Sequence, residues 1–398
     1  MRYFFALAMH KMKETLFIER GACPFLPSQH PYIHEVPMAI LYFSEAALRH
    51  NYRLLRRLAG VPLLPVLKAD AYGHGASAVF SALQKEGAPL YALANEQEFF
   101  ALLSSKKAKK SLQEHGFPSF LLLSPCEKDS LARLLSLPVC LSVHSLSYAR
   151  MLEEEMATRF PLSRLAVHLK LETGMNRLGL TEAEAEQVLA LPHLSVTGVY
   201  SHFAEAAEGA HRTLAQTACF TSLCHRLPLP QGVFRHLCAG AALLHYGALG
   251  MEGVRAGLPL YGVCPHGTAC DGLLPVMRFA SRVLTVHSLG VGEGMGYGTF
   301  RAPRPMRVAV IDAGYADGVP PSAAKAGARV TVKGRLSPLV GEVCMDRAFV
   351  CLDDIPLREG EEVTLFGTAP GDTERFAREA EVSPYHLLVA RSARTLRL

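Results

Sequence analysis

A chain of 398 residues, 49% hydrophobic and 19% charged, is long enough to bury one large core, or a large and a smaller one, and too apolar to be disordered. The net charge of +5 comes from scattered Lys and Arg with no basic run interleaved with aromatics, which argues against nucleic-acid binding. No apolar stretch reaches the roughly 20 residues of a membrane span, and the ten cysteines form no CxxC pair and sit mostly in apolar runs, the pattern of reduced thiols in a cytoplasmic protein.

Residues 1–37 form an N-terminal extension without readable chemistry; Tyr3 to Met9, after a single Arg, is short and without a clear small-residue cleavage site, which argues against a signal peptide. Leu48, Tyr52, Leu55 and Leu58 recur at helical spacing behind Ser44, a good N-cap, and predict a helix over 44–58. Strands are predicted at 62–67, 90–94, 120–124, 139–143, 165–171, 196–201, 234–238 and 253–255. Helical segments fill the gaps, one opening on Thr181 and Glu184 at capping-box spacing. Eight strands, each followed by a helix, are the arithmetic of an α/β fold, a (β/α)8 TIM-like barrel over 38–275. Beyond 275 the rhythm changes. Runs at 282–289, 306–313, 328–333, 340–352 and 361–366 read as strands separated by Gly or Pro turns, giving a mainly β C-terminal domain over 276–398.

Lys68 closes the first barrel strand, which places its amine at the C-terminal mouth where barrel sites form. A lysine so poorly solvated suits a depressed-pKa or aldehyde-bonded amine; the bland alternative is a side chain snorkelling from the strand end. It is followed by Ala69-Asp70-Ala71-Tyr72-Gly73-His74-Gly75. Further along stand Lys170-Leu171-Glu172-Thr173-Gly174-Met175-Asn176-Arg177-Leu178-Gly179, Tyr200-Ser201-His202-Phe203, Gly253-Val254-Arg255-Ala256-Gly257-Leu258 and Gly296-Tyr297-Gly298-Thr299-Phe300. Gly314-Tyr315-Ala316-Asp317-Gly318 and Gly341-Glu342-Val343-Cys344-Met345-Asp346 complete the set.

Together these segments resemble the alanine racemase family, through most of residues 38–398. The resemblance implies pyridoxal phosphate (PLP) as cofactor, bonded covalently to Lys68, with the Tyr72 hydroxyl on its phosphate. Tyr385 is a weaker match to a second phosphate-binding tyrosine, its alternative being a surface or core tyrosine. Arg177 is implied to hold the substrate carboxylate and a cofactor oxygen; Lys170 matches a lysine often carbamylated to brace that arginine, against the alternative of an ordinary strand lysine. Arg255 is implied to face the pyridine nitrogen, and a guanidinium supplies no proton at neutral pH, so the ring stays a weak electron sink and transamination is suppressed. His202 is implied to link Arg255 to the catalytic tyrosine, Tyr297, whose loop is one residue shorter than the family pattern. Tyr297 would reach the partner subunit's site, so that Lys68 and Tyr297 supply the two proton donors that racemisation needs on opposite faces of one carbon. Tyr315 is implied to narrow the entrance, Met345 to bind the substrate carboxylate through its N–H, and Asp346 to stand at the entrance.

One departure stands out. Ala239-Gly240 occupies the place of the family's Asn-Ser, leaving the N–H groups of Gly240, Gly257 and Leu258 as a phosphate cup. One side-chain hydrogen bond is lost, about 1–2 kcal/mol, so a Gly240→Ser variant is expected to bind the cofactor more tightly. The implied protein is a cytoplasmic homodimeric isomerase with shared sites and no metal, interconverting L- and D-alanine and supplying D-alanine for peptidoglycan. The rivals are a racemase for serine, lysine or arginine, a barrel-type decarboxylase of basic amino acids (suggested superficially by Cys270-Asp271-Gly272), and a PLP carrier built on a barrel alone. Arg255 argues against the decarboxylase, which has a carboxylate there, and the β-domain with Tyr297 against the carrier.

Overall fold

The computed structural model describes residues 39–264, 271–392 and 394–398. The N-terminal extension, including Tyr3 to Met9, and Cys270 lie outside them. The chain enters at β1 (Ala39–Phe43) and then builds eight parallel strands: β2 (Leu63–Pro65), β3 (Leu90–Leu93), β4 (Ser119–Leu122), β5 (Val139–Val143), β6 (Leu165–Lys170), β7 (Leu194–Tyr200), β8 (Phe234–His236) and β9 (Val254–Ala256). Strands β3 to β8 pair in sequence order, β2 pairs with β9, and single bridges, Val66 to Ala92 and Ala239 to Arg255, join the two sheets into a closed barrel. The strands are mostly apolar because helices cover their outer faces and side chains fill their inner ones, the polar exceptions being concentrated on β6 to β9. The first helix, Glu45–Ala59, starts where Ser44 Oγ accepts the Ala47 N–H and stops at Gly60, whose φ of 65° ends the turn. Leu48, Tyr52 and Leu55 form its buried stripe, as their spacing requires.

The second module is antiparallel: β10 (Met277–Leu289), β11 (Met306–Ile311), β12 (Arg329–Val332), β13 (Arg335–Val340), β14 (Ala348–Cys351), β15 (Glu362–Phe366) and β16 (Leu396–Arg397). The pairing runs β10-β11-β14-β13-β12-β15 and back to β10, closing a small barrel. β1 adds to the edge of β10 with Leu41 opposite Phe279, and β16 lies parallel to β1, so the start and the end of the described chain share one sheet. Of the strand expected over 340–352 only 348–351 forms one, β14, while Val340 is the last residue of β13, a strand not expected from the sequence. Gly341, at φ 69°, turns the chain out of β13, and residues 341–347 form a loop before β14. Two helices follow β15, Asp372–Glu379 and Pro384–Val389. Among the described residues no helix is long and apolar enough to cross a membrane, and no cluster of His, Cys, Asp or Glu is placed to hold a metal. The cysteines match the expected reduced thiols in part: Cys126, Cys238 and Cys351 are buried free thiols and Cys219 is a free but exposed one, whereas Cys264 is disulfide-bonded.

Candidate active site

A cavity of about 600 Å³ opens at the C-terminal mouth of the parallel barrel, within the usual range for small-molecule sites. Lys68 reaches it from the end of β2. The four residues that follow, Ala69 to Tyr72, all take left-handed backbone angles with φ between 53° and 56°, and Gly73 continues at 79°. Each such non-glycine residue costs on the order of 1–2 kcal/mol, so the surroundings must hold this turn. The Ala69 N–H donates to Glu98 Oε1 at 2.7 Å, while the other oxygen of Glu98 accepts the Ala94 N–H at 2.9 Å. His74 Nδ1 lies 3.0 Å from both the Ala71 and Tyr72 carbonyls, which assigns its proton to that nitrogen. Burial pushes this imidazole down to about 4, so it stays neutral. The turn delivers Lys68 and Tyr72 to the same cavity. Burial, reinforced by the cations Arg177 and Arg255, holds the Lys68 pKa below that of an ordinary lysine.

β6 contributes the next pieces. Lys170 ends it, buried, with its pKa pulled down to about 8 by burial, then by Arg177 and Arg255. The loop beyond is closed by Leu180 N–H to Lys170 O at 2.7 Å and Glu172 N–H to Leu180 O at 3.0 Å. Glu172 Oε1 accepts the N–H groups of Gly174 and Met175, at 2.6 and 2.7 Å. That loop carries Arg177 to the cavity wall.

Arg255 on β9 is buried, and its hydrogen bonds go to neutral groups: His236 Nδ1 at 2.6 Å and the carbonyls of His236, Ser201 and Leu237 at 2.8, 2.7 and 3.1 Å. His202 Nδ1 stands 3.4 Å from Nη2, the first half of the expected link. Burial pulls the guanidinium down only to about 10, so it remains charged. Burial and this cation push His202 to about 3 and His168 to about 4, and hold His236 well below its ordinary value. His236 Nε2 in turn meets His168 Nδ1 at 2.9 Å. His168 and His236 were not singled out from the sequence. The available signal was a polar residue inside an apolar parallel strand, which must find a buried partner.

Tyr72 and Tyr385 face each other with ring centroids 6.1 Å apart, and both line the cavity with Gly240, Gly257 and Leu258. The last three sit at the starts of helical turns, where first amides have no intrahelical acceptor. Glycine at 257 is needed because a Cβ there would stand 2.7 Å from Tyr72 Oη. These donors and four cationic side chains (Lys68, Lys170, Arg177, Arg255), against two carboxylates (Glu205, Glu208), fit a phosphorylated aldehyde and a carboxylate substrate. Gly240 corrects one expectation. A Cβ there would lie 2.4 Å from Pro259 Cδ, so a serine cannot be added to this cup without moving the proline. A larger depression of about 910 Å³ on the second module is open, and its Arg375 and Lys333 are paired with Asp372, Glu379 and Glu361.

The remaining sequence-derived residues lie elsewhere. Tyr297, Tyr315 and Met345 are 73%, 44% and 54% exposed, and neither they nor Asp346 line the cavity. They are held together on the second module: the Tyr315 N–H donates to Cys344 O and the Ala316 N–H to Met345 O, both at 3.0 Å. Gly298, beside Tyr297, has φ 79°, and a Cβ there would strike the Glu342 carboxylate. Arg394 ties Asp346 at 2.6 Å to the fully buried Asp317 at 2.7 Å.

The family model of the alanine racemase N-terminal domain matches residues 43–265, and that of the C-terminal domain matches 276–398. The alanine racemase of Xylella fastidiosa strain 9a5c is 37% identical over 355 residues, covering 86% of this chain and 92% of its own; that of Deinococcus radiodurans is 34% identical over 372 residues, covering 91% and 99%. Among solved structures, the biosynthetic alanine racemase of Pseudomonas aeruginosa superposes with a TM-score of 0.78 at 32% identity, covering 92% of this chain and 99% of that one. The Bartonella henselae alanine racemase, solved with covalently bound pyridoxal phosphate, shares the fold at 0.81 and 24% identity over 92% and 99%. Both domains of one enzyme architecture are thus present in order and over nearly the whole described chain, and the chain belongs to the alanine racemase family, a family of isomerases.

Proposed function

We propose that this chain interconverts L- and D-alanine by two-base proton transfer in a homodimer with shared active sites, in the cytoplasm, and that the D-alanine supplies cell-wall peptidoglycan. One observation carries the reading. The cavity that holds Lys68 contains neither Tyr297 nor Met345, which stand exposed together on the other module, ready for a second copy's cavity. Pyridoxal phosphate, when bound, supplies the electron-withdrawing ring that makes the α-hydrogen of an attached amino acid removable.

The rest is the work of the chain. Tyr72 and Tyr385 hydroxyls, with the amides of Gly240, Gly257 and Leu258, hold the phosphate. Lys68 anchors the cofactor and, with its pKa lowered, takes or gives a proton at Nζ on one face of the α-carbon. The partner subunit's Tyr297 does the same at Oη on the opposite face. Arg177 orients the substrate carboxylate, joined by the N–H of the partner's Met345, while the partner's Tyr315 and Asp346 narrow the entrance. Lys170, with a pKa near 8, is partly uncharged at neutral pH; its Nζ adds to carbon dioxide with loss of one proton, and the carbamate anion braces Arg177. Arg255 would face the pyridine nitrogen and lend it no proton, and His202, 3.4 Å from its Nη2, would extend that contact toward the partner's Tyr297.

Racemisation of alanine in D2O by Tyr297→Phe tests the proposal. The variant is expected to racemise about 10²–10⁴-fold more slowly, while still exchanging the α-hydrogen of one enantiomer through Lys68. A near-native rate would end the two-base reading.

A further inference from the structure

We infer that the C-terminal tail braces the cofactor lysine, with Arg397 as a positioning residue acting through Asp70. The inference rests on the reading of Lys68 as the covalent anchor. Asp70 stands second in the left-handed run after Lys68. One of its oxygens accepts the Ala76 N–H at 2.7 Å, and the other meets Arg397 Nη1 at 2.6 Å. Arg397 is fixed in turn, because β16 is pinned to β1 by Leu398 N–H to Leu41 O and Phe43 N–H to Leu398 O, both at 2.9 Å. Gly75 leaves room for the guanidinium: a Cβ there would be 3.2 Å from Nη1.

The same tail presses on the turn a second time. Ser383 caps the helix Pro384–Val389, which brings Tyr385 to the cavity and sets Leu388 O where a Cβ at Gly73 would lie 2.2 Å away. Arg391, half-buried and 4.2 Å above the Phe279 ring, ties that helix to the turn that ends at Gly318 by donating to Leu387 O and Gly318 O, at 2.6 and 2.8 Å. The turn's own backbone bonds, such as Ala71 N–H to Leu67 O, do not explain why it keeps the costly left hand. Glu98 holds its start, and the tail holds its middle and end. Without Arg397 the Asp70 carboxylate is fixed on one side only, and the positions of Lys68 Nζ and Tyr72 Oη blur together. The pair is partly exposed, so its effect is moderate and declines with salt.

Full-length Arg397→Gln, Arg397→Lys, Asp70→Asn and the Arg397→Gln/Asp70→Asn double variant test this; asparagine keeps the oxygen that accepts the Ala76 N–H. Each Gln or Asn variant is expected to raise the dissociation constant for pyridoxal phosphate about fivefold when the apo chain is titrated. Amide exchange at 69–76 in the holoenzyme should quicken, the double variant should be no worse than either single, and lysine should recover part of the loss. Native affinity and exchange in Arg397→Gln, additive losses in the double, or faster exchange spread over the whole chain would overturn the brace. Borohydride reduction of the wild type tests the anchor separately: label found off Lys68 overturns that reading whatever the tail variants do.

Discussion

Gly240 and Pro259 constrain each other in the wall of the cavity. With the absent Cβ of Gly240 projected 2.4 Å from Pro259 Cδ, a side chain at 240 must displace a rigid ring rather than a flexible tip. Gly240→Ser alone is therefore expected to weaken cofactor binding, and Gly240→Ser with Pro259→Ala to strengthen it beyond the wild type, because the hydroxyl then gains space and a phosphate partner worth about 1 kcal/mol. Titration of both apo variants with pyridoxal phosphate decides it; tighter binding by the single variant would show that the proline gives way. At this scale the sequence was legible where chemistry is packed into a short string. Lys68, Tyr72, Arg177, Arg255 and Gly257 all reach the cavity. His168, His236, Arg394 and Arg397 were missed for a different reason: their partners lie 68, 19, 77 and 327 positions away, and no local spacing announces them.

The strands β6 to β9 act as a rack for neutral imidazoles around one cation. The ring of His168 on β6 fits only because Gly198 on β7 lacks a side chain; a Cβ there would be 2.6 Å from its atoms. Gly198→Ala is expected to cost about 1–3 kcal/mol by overpacking and to loosen the His168–His236–Arg255 chain, read as a lower thermal midpoint. An unchanged midpoint would mean the rack has slack. Two buried histidines, one in the turn after Lys68 and one in the rack, also set an acid limit. His74 and His168 protonate near 6.5 when unfolded but only near 4 in the fold. Unfolding therefore takes up protons between those values, and stability is full above about 6.5 and lost as pH falls toward 4. Each contributes at most on the order of 3 kcal/mol. Thermal midpoints measured from pH 7.5 down to 4.5 should fall steeply across that window, and a flat profile would contradict the burial argument. Elements of this kind were readable from apolar runs, which located all eight barrel strands. The loop over 341–347 was not, since Val343 and Cys344 continue the apolar run across it and only Gly341 marks it, and β13 was missed because Arg335, Ser337 and Pro338 interrupt its apolar residues.

At the scale of the molecule, the residues implied for the site are split between the two modules. The barrel holds Lys68, Tyr72, Arg177 and Arg255 in its cavity, and the antiparallel module displays Tyr297, Tyr315, Met345 and Asp346 outside it. If a working site joins the barrel of one chain to the β-module of another, two crippled chains can repair each other. Lys68→Ala and Tyr297→Phe homodimers are both expected to be inactive. After unfolding and refolding together in equal amounts, half the dimers are mixed. In each mixed dimer one site collects both lesions and the other neither, because the intact Lys68 and the intact Tyr297 come from different chains. Activity should therefore return to about a quarter of the wild-type level, with native substrate affinity. A site assembled within one chain gives the opposite result, since every site then keeps its own lesion however the chains are paired, and the mixture stays inactive. The same experiment with Arg394→Gln in place of Tyr297→Phe reaches one step further. Arg394 anchors Asp346 and Asp317 on the displayed module, so its damage should be repaired in the pairing that repairs Tyr297→Phe, which places the brace and the second base on the same side of the interface.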